Sequence, residues 1–136
     1  ALGNRTLFGD PRNKKIKEKI NDTQGREQFR PFAPMILEED VSKYFNGGFI
    51  SPFMSCALEA TEEFKQNYPG VVHLDGTSRL QVVNQEPHIT LLKVWKDITK
   101  CPVLLNTSLN VKGQPIVNTK EDAKDFTQRT GVAVHS

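Results

Sequence analysis

A run of small polar side chains at positions 106–110, Asn-Thr-Ser-Leu-Asn, follows the apolar segment 102–105. If 102–105 is a core strand, the run lies beyond its carboxyl end, where ligands bind in open α/β sheets. Asn106, Ser108 and Asn110 offer neutral donors and acceptors that suit phosphate oxygens, ribose hydroxyls or an amide. The alternative is a turn in which these side chains cap their own backbone, and spacing alone leaves both open.

Two arginines could bring positive charge to such a site. Arg79 lies within an alternating run at 71–83, where a buried arginine is costly unless it has an anionic partner. It therefore either faces solvent or holds a phosphate or carboxylate. Arg30 stands between an aromatic residue and a proline, and this rigid setting could aim its guanidinium for bidentate phosphate binding. The alternative for Arg30 is a structural ion pair with Glu27 or Glu38.

Patterns typical of other sites are missing or weak. The sequence contains neither GxGxxG nor the P-loop pattern, and neither GxSxG nor HExxH. His73 could act as a base, although a hydrogen-bonded surface histidine is the alternative. Cys56 and Cys101 have no CxxC spacing, and no grouping with the three histidines completes a set of four ligands. We therefore expect no structural metal, and free buried thiols.

The composition is that of an ordinary globular domain. The chain has 136 residues, 37% hydrophobic and 25% charged, with a net charge of +2. This length predicts one domain whose hydrophobic core is large enough to be stable without disulfides or a structural metal. The net charge is too small to indicate a nucleic-acid or membrane surface. No segment approaches the roughly 20 apolar residues that span a bilayer, and the residues near Ala1 lack the hydrophobic region of a secretory signal peptide. We expect a cytoplasmic piece of a longer chain.

Helical and strand patterns alternate along the chain, which predicts an α/β fold with a mixed sheet. Asp10 and Pro11 resemble an N-cap and the first turn of a helix. Thr119 and Asp122 resemble a capping box that opens a helix ending before Gly131. Between these helices we expect strands at 35–37, 53–60, 71–83, 102–105 and 115–117, and helices at 38–45 and 88–100.

Two of these segments have distinct faces. In the run 71–83, alternation separates an apolar from a polar face, provided that no bulge at Gly76 shifts the register. The apolar face would hold Val72, Leu74, Leu80 and Val82, and the polar face His73, Asp75, Thr77, Arg79 and Gln81. In the helix 88–100, the buried stripe would consist of Leu91, Leu92, Trp95 and Ile98.

Several blocks of the sequence occur in an order that resembles one known family. They are Ala-Leu-Gly-Asn-Arg at 1–5, Asp-Pro-Arg at 10–12, Arg-Pro-Phe-Ala-Pro at 30–34, Ser-Pro-Phe-Met at 51–54, His-Leu-Asp-Gly-Thr-Ser-Arg-Leu-Gln at 73–81, Leu-Leu-Asn-Thr-Ser-Leu-Asn at 104–110 and Gly-Gln-Pro-Ile at 113–116. Their order resembles the C-terminal region of the O-carbamoyltransferases typified by the nodulation-factor, tobramycin and cephem enzymes. The match covers almost the whole chain.

The resemblance implies a fold and an activity. The C-terminal domain of that family is similar to the YrdC type, so residues 1–136 would form an α/β, YrdC-like domain, a twisted mixed sheet flanked by helices. Its partner in the longer chain would be an N-terminal actin-like transferase domain. The YrdC-like domain would use ATP, Mg²⁺ and carbamoyl phosphate to make carbamoyl-adenylate, and the longer enzyme would carbamoylate a hydroxyl acceptor. The 136 residues alone would not complete that transfer.

Carried over position by position, the resemblance also implies site residues. Arg30 and Arg79 would be catalytic, and they would bind ATP or carbamoyl-adenylate together with Asn106, Ser108 and Asn110. These are the residues whose roles the residue types alone left open.

Two departures from the family pattern bear on that site. Members usually carry a lysine at the position of Gln24, where its charge would contact phosphate, and an arginine just before the position of Ala1. Gln24 motivates an alternative function, a catalytically impaired YrdC-like module that binds a nucleotide or RNA, and a remnant without a ligand is a third. For the leading function we expect small-molecule substrates, no membrane or nucleic-acid partner, and self-association into a homodimer as an open question.

Overall fold

The computed structural model describes residues 4–28, 30–47 and 57–135, which form seven strands and five helices. The strands are β1 (Thr6–Gly9), β2 (Ala33–Leu37), β3 (Phe45–Asn46), β4 (Ala57–Ala60), β5 (Thr77–Arg79), β6 (Gln81–Val83) and β7 (Val103–Ser108). The helices are α1 (Ile16–Gln24), α2 (Glu38–Tyr44), α3 (Glu62–Asn67), α4 (His88–Thr99) and α5 (Lys120–Thr130), and a 3-10 turn covers Pro69–Val71. None of these helices is long and apolar enough to cross a membrane.

The strands form two sheets. The larger has the order β1-β7-β2-β6, in which β7 runs antiparallel to both neighbours and β2 runs parallel to β6. The smaller is the antiparallel set β3-β4-β5. A parallel pair needs a long crossover, and the chain between β2 and β6 forms α2, the smaller sheet and α3 on its way. The predicted mixed α/β class is confirmed.

Side chains from helices pack on both faces of the larger sheet. One cluster of buried residues joins the sheet to α1 and α3, and it includes Ile20, Ile36, Phe64, Val103 and Leu105. A second cluster joins the opposite face to α4, and it consists of Met35, Leu37, Val83, Leu92 and Leu104. Each fully buried side chain of this kind contributes about 1.5–3 kcal/mol. The two clusters therefore hold the strand ends in fixed positions.

Elements with a strong local signal lie where the sequence predicts them. β2, α2 and α4 coincide with the predicted segments to within two residues at either end. Thr119 and Asp122 form the expected capping box of α5, and Gly131 ends that helix with a φ of 73°. Cys101 is a buried free thiol, as expected. Cys56 lies outside the described residues, as does the first half of the predicted strand 53–60, whereas its second half forms β4.

The predicted start of the first helix is wrong. The helix begins at Ile16, five residues after Pro11. The carboxylate of Asp10 instead accepts from the backbone N of Arg12 at 3.0 Å and from Arg12 Nη2 at 2.6 Å. A side chain that binds the backbone two residues later forms a local turn rather than a helix cap.

The single strand predicted for 71–83 is also wrong. The chain makes a tight turn at 73–76, and Leu80 then separates β5 from β6, which belong to different sheets. The turn requires Gly76, because its φ of 82° lies in the left-handed region. Leu74, predicted to lie on the apolar face, stands at the turn and is fully exposed at 107%.

Three further expectations differ from the structure. Leu91 and Ile98 of the predicted stripe are 40% and 77% exposed, because α4 is covered by the sheet only on the side of Leu92. β7 continues to Ser108 because β1 pairs with its whole polar half, so the polar run begins inside a strand. The segment 115–117 is not a strand.

Candidate functional site

A cleft of about 500 Å³ opens beside the carboxyl end of β7. Its walls come from β1, from the segment between α1 and β2, from β5 with the turn before it, and from β7. The lining residues are Arg5, Thr6, Arg26, Arg30, Pro31, Phe32, Ala33, His73, Arg79, Asn106, Thr107, Ser108 and Ile116. The volume falls within the range of about 300–1,000 Å³ that is typical of small-molecule sites.

Arg26 ties the segment after α1 to the end of β7. Its Nη1 donates to Thr107 Oγ1 at 3.1 Å, and its Nη2 donates to Ser108 Oγ and to Asn110 Oδ1, both at 2.8 Å. Ser108 Oγ in turn donates to Asn110 Oδ1 at 2.6 Å. The planar guanidinium, with its five N–H donors, suits this contact better than the point charge of a lysine. Arg26 therefore fixes how Ser108 and Asn110 are presented.

Gln24, the last residue of α1, holds the same loop from inside the protein. Its buried Nε2 donates to the carbonyl oxygens of Ser108 at 2.6 Å and Asn110 at 2.9 Å. α1 ends here because Gly25 adopts a φ of 66°, which lets the chain turn so that both Gln24 and Arg26 reach the loop. Gln24 does not line the cleft. The Gln24 amide therefore positions the loop that carries Ser108, and it does so through backbone carbonyls rather than from the cleft wall.

The cleft carries an excess of positive charge. Four arginines line it, and no Asp or Glu occurs among the described residues of its wall. Burial, followed by the nearby charge of Arg30, lowers the pKa of the Arg26 guanidinium. An anion beside the two arginines would offset both effects, because it stabilises the charged form. The electrostatics of the cleft therefore favour an anionic ligand.

The structure brings four of the five predicted site residues to this cleft. Arg30, Arg79, Asn106 and Ser108 line it. Asn110 does not line it and instead accepts from Arg26 and Ser108. Side chains from three separate stretches of the chain thus lie in the same cleft.

Arg30 does not form the ion pair considered as its alternative. Glu27 pairs with Lys112 instead. Within the part of the chain that the structure describes, no salt bridge includes Arg30. Asn106, in contrast, has a protein partner, because its buried Nδ2 donates to Gln81 Oε1. That hydrogen bond orients the Asn106 amide at the cleft wall.

Arg5 and Arg26 line the cleft although the sequence pattern did not single out either of them. Arg5 is held by Asn118, whose Oδ1 accepts from Nη1 at 2.7 Å. The one local signal for Arg26 is Gly25, which ends a helix and places the next residue outside it. The partners of Arg26 lie 81 to 84 positions away, so only the tertiary structure identifies them.

His73 lines the same cleft. Burial lowers the pKa of its imidazole, Lys17 and Arg79 lower it further, and Asp75 acts in the opposite direction. Because the ordinary histidine pKa is already about 6.5, the ring is neutral at pH 7 and carries one acceptor nitrogen.

The described side chains of the cleft do not fit a magnesium ion. Mg²⁺ in proteins is bound through one or two carboxylates together with substrate phosphates. No described lining residue is acidic, and no group of three His, Cys, Asp or Glu suited to a metal occurs among the residues described. The donors present are suited to the oxygens of a phosphate.

Comparisons with known proteins identify the family of the chain. Residues 1–135 match the family described as Carbamoyltransferase C-terminus. The uncharacterized protein MJ1058 of Methanocaldococcus jannaschii is 40% identical over 127 residues, which cover 90% of this chain and 21% of that protein. The nodulation protein NolO of Bradyrhizobium diazoefficiens is 39% identical over 130 residues, which cover 90% of this chain and 24% of that protein. The chain thus spans about a fifth to a quarter of these relatives.

A solved structure shares the fold. The crystal structure of HypF from T. kodakarensis matches with a TM-score of 0.61 and 23% identity, over 92% of this chain and 17% of HypF. The predicted α/β fold class, a mixed sheet flanked by helices, is confirmed by this match. The likeness carries the fold alone, whereas the family follows from the sequence match over 1–135. The chain belongs to the carbamoyltransferase C-terminal family.

Proposed function

We propose that this cleft binds ATP and activates a carbamoyl group as carbamoyl-adenylate, as one step of an O-carbamoyltransferase. Residues 1–136 would be its C-terminal domain, working with a transferase domain elsewhere in a longer chain that carbamoylates a hydroxyl acceptor. Family membership supports a carbamoyltransferase, and the greater length of the relatives supports a further domain.

One observation carries the proposal: four arginines, two hydroxyl side chains of β7 and Asn106 converge on a single cleft whose described wall lacks carboxylates. ATP brings about four negative charges, and guanidinium groups bind phosphate oxygens with two parallel N–H donors. A cleft of about 500 Å³ has room for a nucleotide with a small second substrate. Charge, donor type and size all agree with an ATP-dependent activation.

The proposed chemistry balances with water as a co-reactant. Carbamoyl phosphate is hydrolysed to carbamate and inorganic phosphate. A carbamate oxygen then forms a bond to the α-phosphorus of ATP, and the bond from that phosphorus to the bridging oxygen of pyrophosphate breaks. Arg30 and Arg79 would stabilise the charge that develops on the phosphate oxygens, while Ser108, placed by Arg26, would help to orient the reacting groups. Mg²⁺ would be held by the ATP phosphates themselves, since the described wall supplies no carboxylate for it, and no protein nucleophile is required.

The test is pyrophosphate release from ATP and carbamoyl phosphate in the presence of Mg²⁺. A hydrogen bond between charged groups contributes about 1.5–3 kcal/mol, so Arg30→Ala and Arg79→Ala should each lower the rate by roughly tenfold or more. Arg129→Ala is the matched control, because Arg129 lies on α5 in an exposed pair with Asp125 and does not line the cleft. A rate for the unaltered protein no higher than that of Arg79→Ala would refute the proposal.

The alternative, a nucleotide- or RNA-binding module without catalysis, predicts a different result in the same experiment. Gln24 is the observation in its favour, since a neutral amide adds no charge next to the cleft. Labelled ATP that binds without release of pyrophosphate would support this module over the enzyme. Binding of RNA that is competed by ATP would identify the polynucleotide as its ligand.

A further inference from the structure

His73 occupies a rigid position in the cleft wall. Its backbone N donates to Thr77 O at 2.8 Å, and its carbonyl accepts from Gly76 N at 3.0 Å. The turn is closed by Asp75, whose Oδ1 accepts from Thr77 N at 3.0 Å and Thr77 Oγ1 at 2.7 Å. The Asp75 carboxylate is thereby committed to the turn.

The same turn places His73 beside Arg79. Thr77 and Arg79 lie on one face of β5, because side chains alternate along a strand. His73 lies opposite Thr77 across the turn, and both His73 and Arg79 line the cleft. An anionic ligand held by Arg79 would therefore have the imidazole next to it.

The side-chain hydrogen-bond acceptors of this wall belong to a few residues: the amide oxygen of Asn106, the hydroxyls of Thr6, Thr107 and Ser108, and the ring of His73. Arginine has none, and four of the lining residues are arginines. The hydroxyls of Thr107 and Ser108 already accept from Arg26. The His73 ring, in contrast, makes no hydrogen bond to any residue in the described ranges 4–28, 30–47 and 57–135. A neutral imidazole there offers an acceptor nitrogen to a ligand.

We propose that His73 is a specificity residue, whose neutral ring accepts a hydrogen bond from the NH₂ of the carbamoyl group and thereby separates carbamoyl from acetyl substrates. This inference rests on the proposed function. Acetyl phosphate has nearly the same size and charge as carbamoyl phosphate, but carries a methyl group in place of the NH₂. A site that pairs a polar group discriminates against an analogue lacking it, because the acceptor, here on the half-buried ring of His73, is then left unpaired.

Protonation of His73 should remove the discrimination. An imidazolium has two donors and no acceptor, so it cannot bind the NH₂. The charged groups that act on the ring are Asp75 from the turn, Lys17 from α1 and Arg79 from β5, and Arg5, Arg26 and Arg30 line the same cleft. Since burial and the adjacent cations lower the pKa of His73, selectivity should be complete at pH 7.5 and be lost only as the pH falls below 6.5.

The experiment measures binding, so that it does not depend on turnover. Isothermal titration calorimetry of the protein with carbamoyl phosphate and with acetyl phosphate at pH 7.5 gives a ratio of the two Kd values. We expect carbamoyl phosphate to bind about three- to tenfold more tightly, the worth of one net hydrogen bond. His73→Leu should bring the ratio close to one, and His73→Asn, which keeps an acceptor, should retain part of it. His88→Leu, at the start of α4, is the matched control and should leave the ratio unchanged.

The outcomes separate this inference from the proposed function. An unchanged ratio in His73→Leu, or an equal loss of affinity for both ligands, overturns the role of His73 in selectivity. If no pyrophosphate is released but the ratio of the two Kd values still depends on His73, the activation step is refuted and the role of His73 in selectivity is supported. The fluorescence of Trp95, the single tryptophan of the chain, reports whether each variant is folded.

Discussion

The amide of Gln24 provides a sharp test of how the cleft is held together. Gln24→Leu keeps a similar volume and removes both hydrogen bonds to the carbonyls of Ser108 and Asn110. A buried carbonyl left without its donor costs about 1–3 kcal/mol, and both of these bonds are partly buried, so the lower part of that range applies to each. The Oε1 of Gln24 has no hydrogen-bond partner among the described residues, so replacing it with an apolar group should stabilise the fold by about 1 kcal/mol and offset part of this cost. The free energy of unfolding should therefore fall by about 1–2 kcal/mol.

Urea denaturation measures this change, and a fall in Tm of roughly 3–10 °C should accompany it. Gln24→Glu, which replaces the donor with an acceptor in the same space, should cost more than Gln24→Leu at pH 7. The matched control is Gln28→Leu, because Gln28 is exposed and its Nε2 reaches only Asp22. ATP affinity should weaken in the two Gln24 variants, since the loop that carries Ser108 loses its support. An unfolding free energy for Gln24→Leu within about 0.5 kcal/mol of wild type, with unchanged ATP affinity, would refute this account of the loop.

Three other predictions concern the scaffold. Lys96→Ala leaves the carboxylate of Asp40, only 1% exposed, with Lys43 at 3.3 Å as its remaining partner. The unfolding free energy, measured in urea, should fall by about 1–3 kcal/mol. A smaller effect than that of Lys43→Ala would contradict this prediction. Thr119→Ala removes the side-chain cap of α5 and should cost about 1 kcal/mol, seen as lower Tm, with Thr23→Ala in the last turn of α1 as the comparison. Burial raises the pKa of Tyr68 to about 12, so the phenolate absorbance of this residue should appear at a higher pH than that of a free phenol. The free energy of unfolding should fall between pH 10 and 12, because Tyr68 loses its proton at a lower pH in the unfolded chain than in the folded protein. A single titration near pH 10, with full stability beyond it, would contradict this prediction.

Elements defined by neighbouring residues were predictable, and breaks imposed by the sheets were not. The capping box of α5 depends on Thr119 and Asp122, three positions apart, and the sequence alone identifies it. The alternation at 71–83 cannot show that β5 and β6 join different sheets. That break depends on Arg79 pairing with Ala57, and on Gln81 pairing with Met35. Partners so distant along the chain leave no local pattern.

The site was predictable to a similar degree. Residue types alone left Arg30 and Arg79 between solvent exposure, ion pairing and anion binding, and the family resemblance selected them for the site. The structure then places both in one cleft. Arg26 could not be found in this way, because its role depends on contacts with Thr107, Ser108 and Asn110 across the fold.

The arginines of the cleft divide into two roles. Arg26 donates hydrogen bonds to Thr107, Ser108 and Asn110, and these bonds orient its guanidinium before a ligand anion binds. Arg30 has no side-chain hydrogen bond to a described residue, and its charge is close enough to lower the pKa of Arg26. Two like charges this close raise the free energy of the unbound protein, and a phosphate between them relieves that cost. The arrangement therefore favours a polyphosphate over a neutral ligand before any specific contact to the carbamoyl group is made.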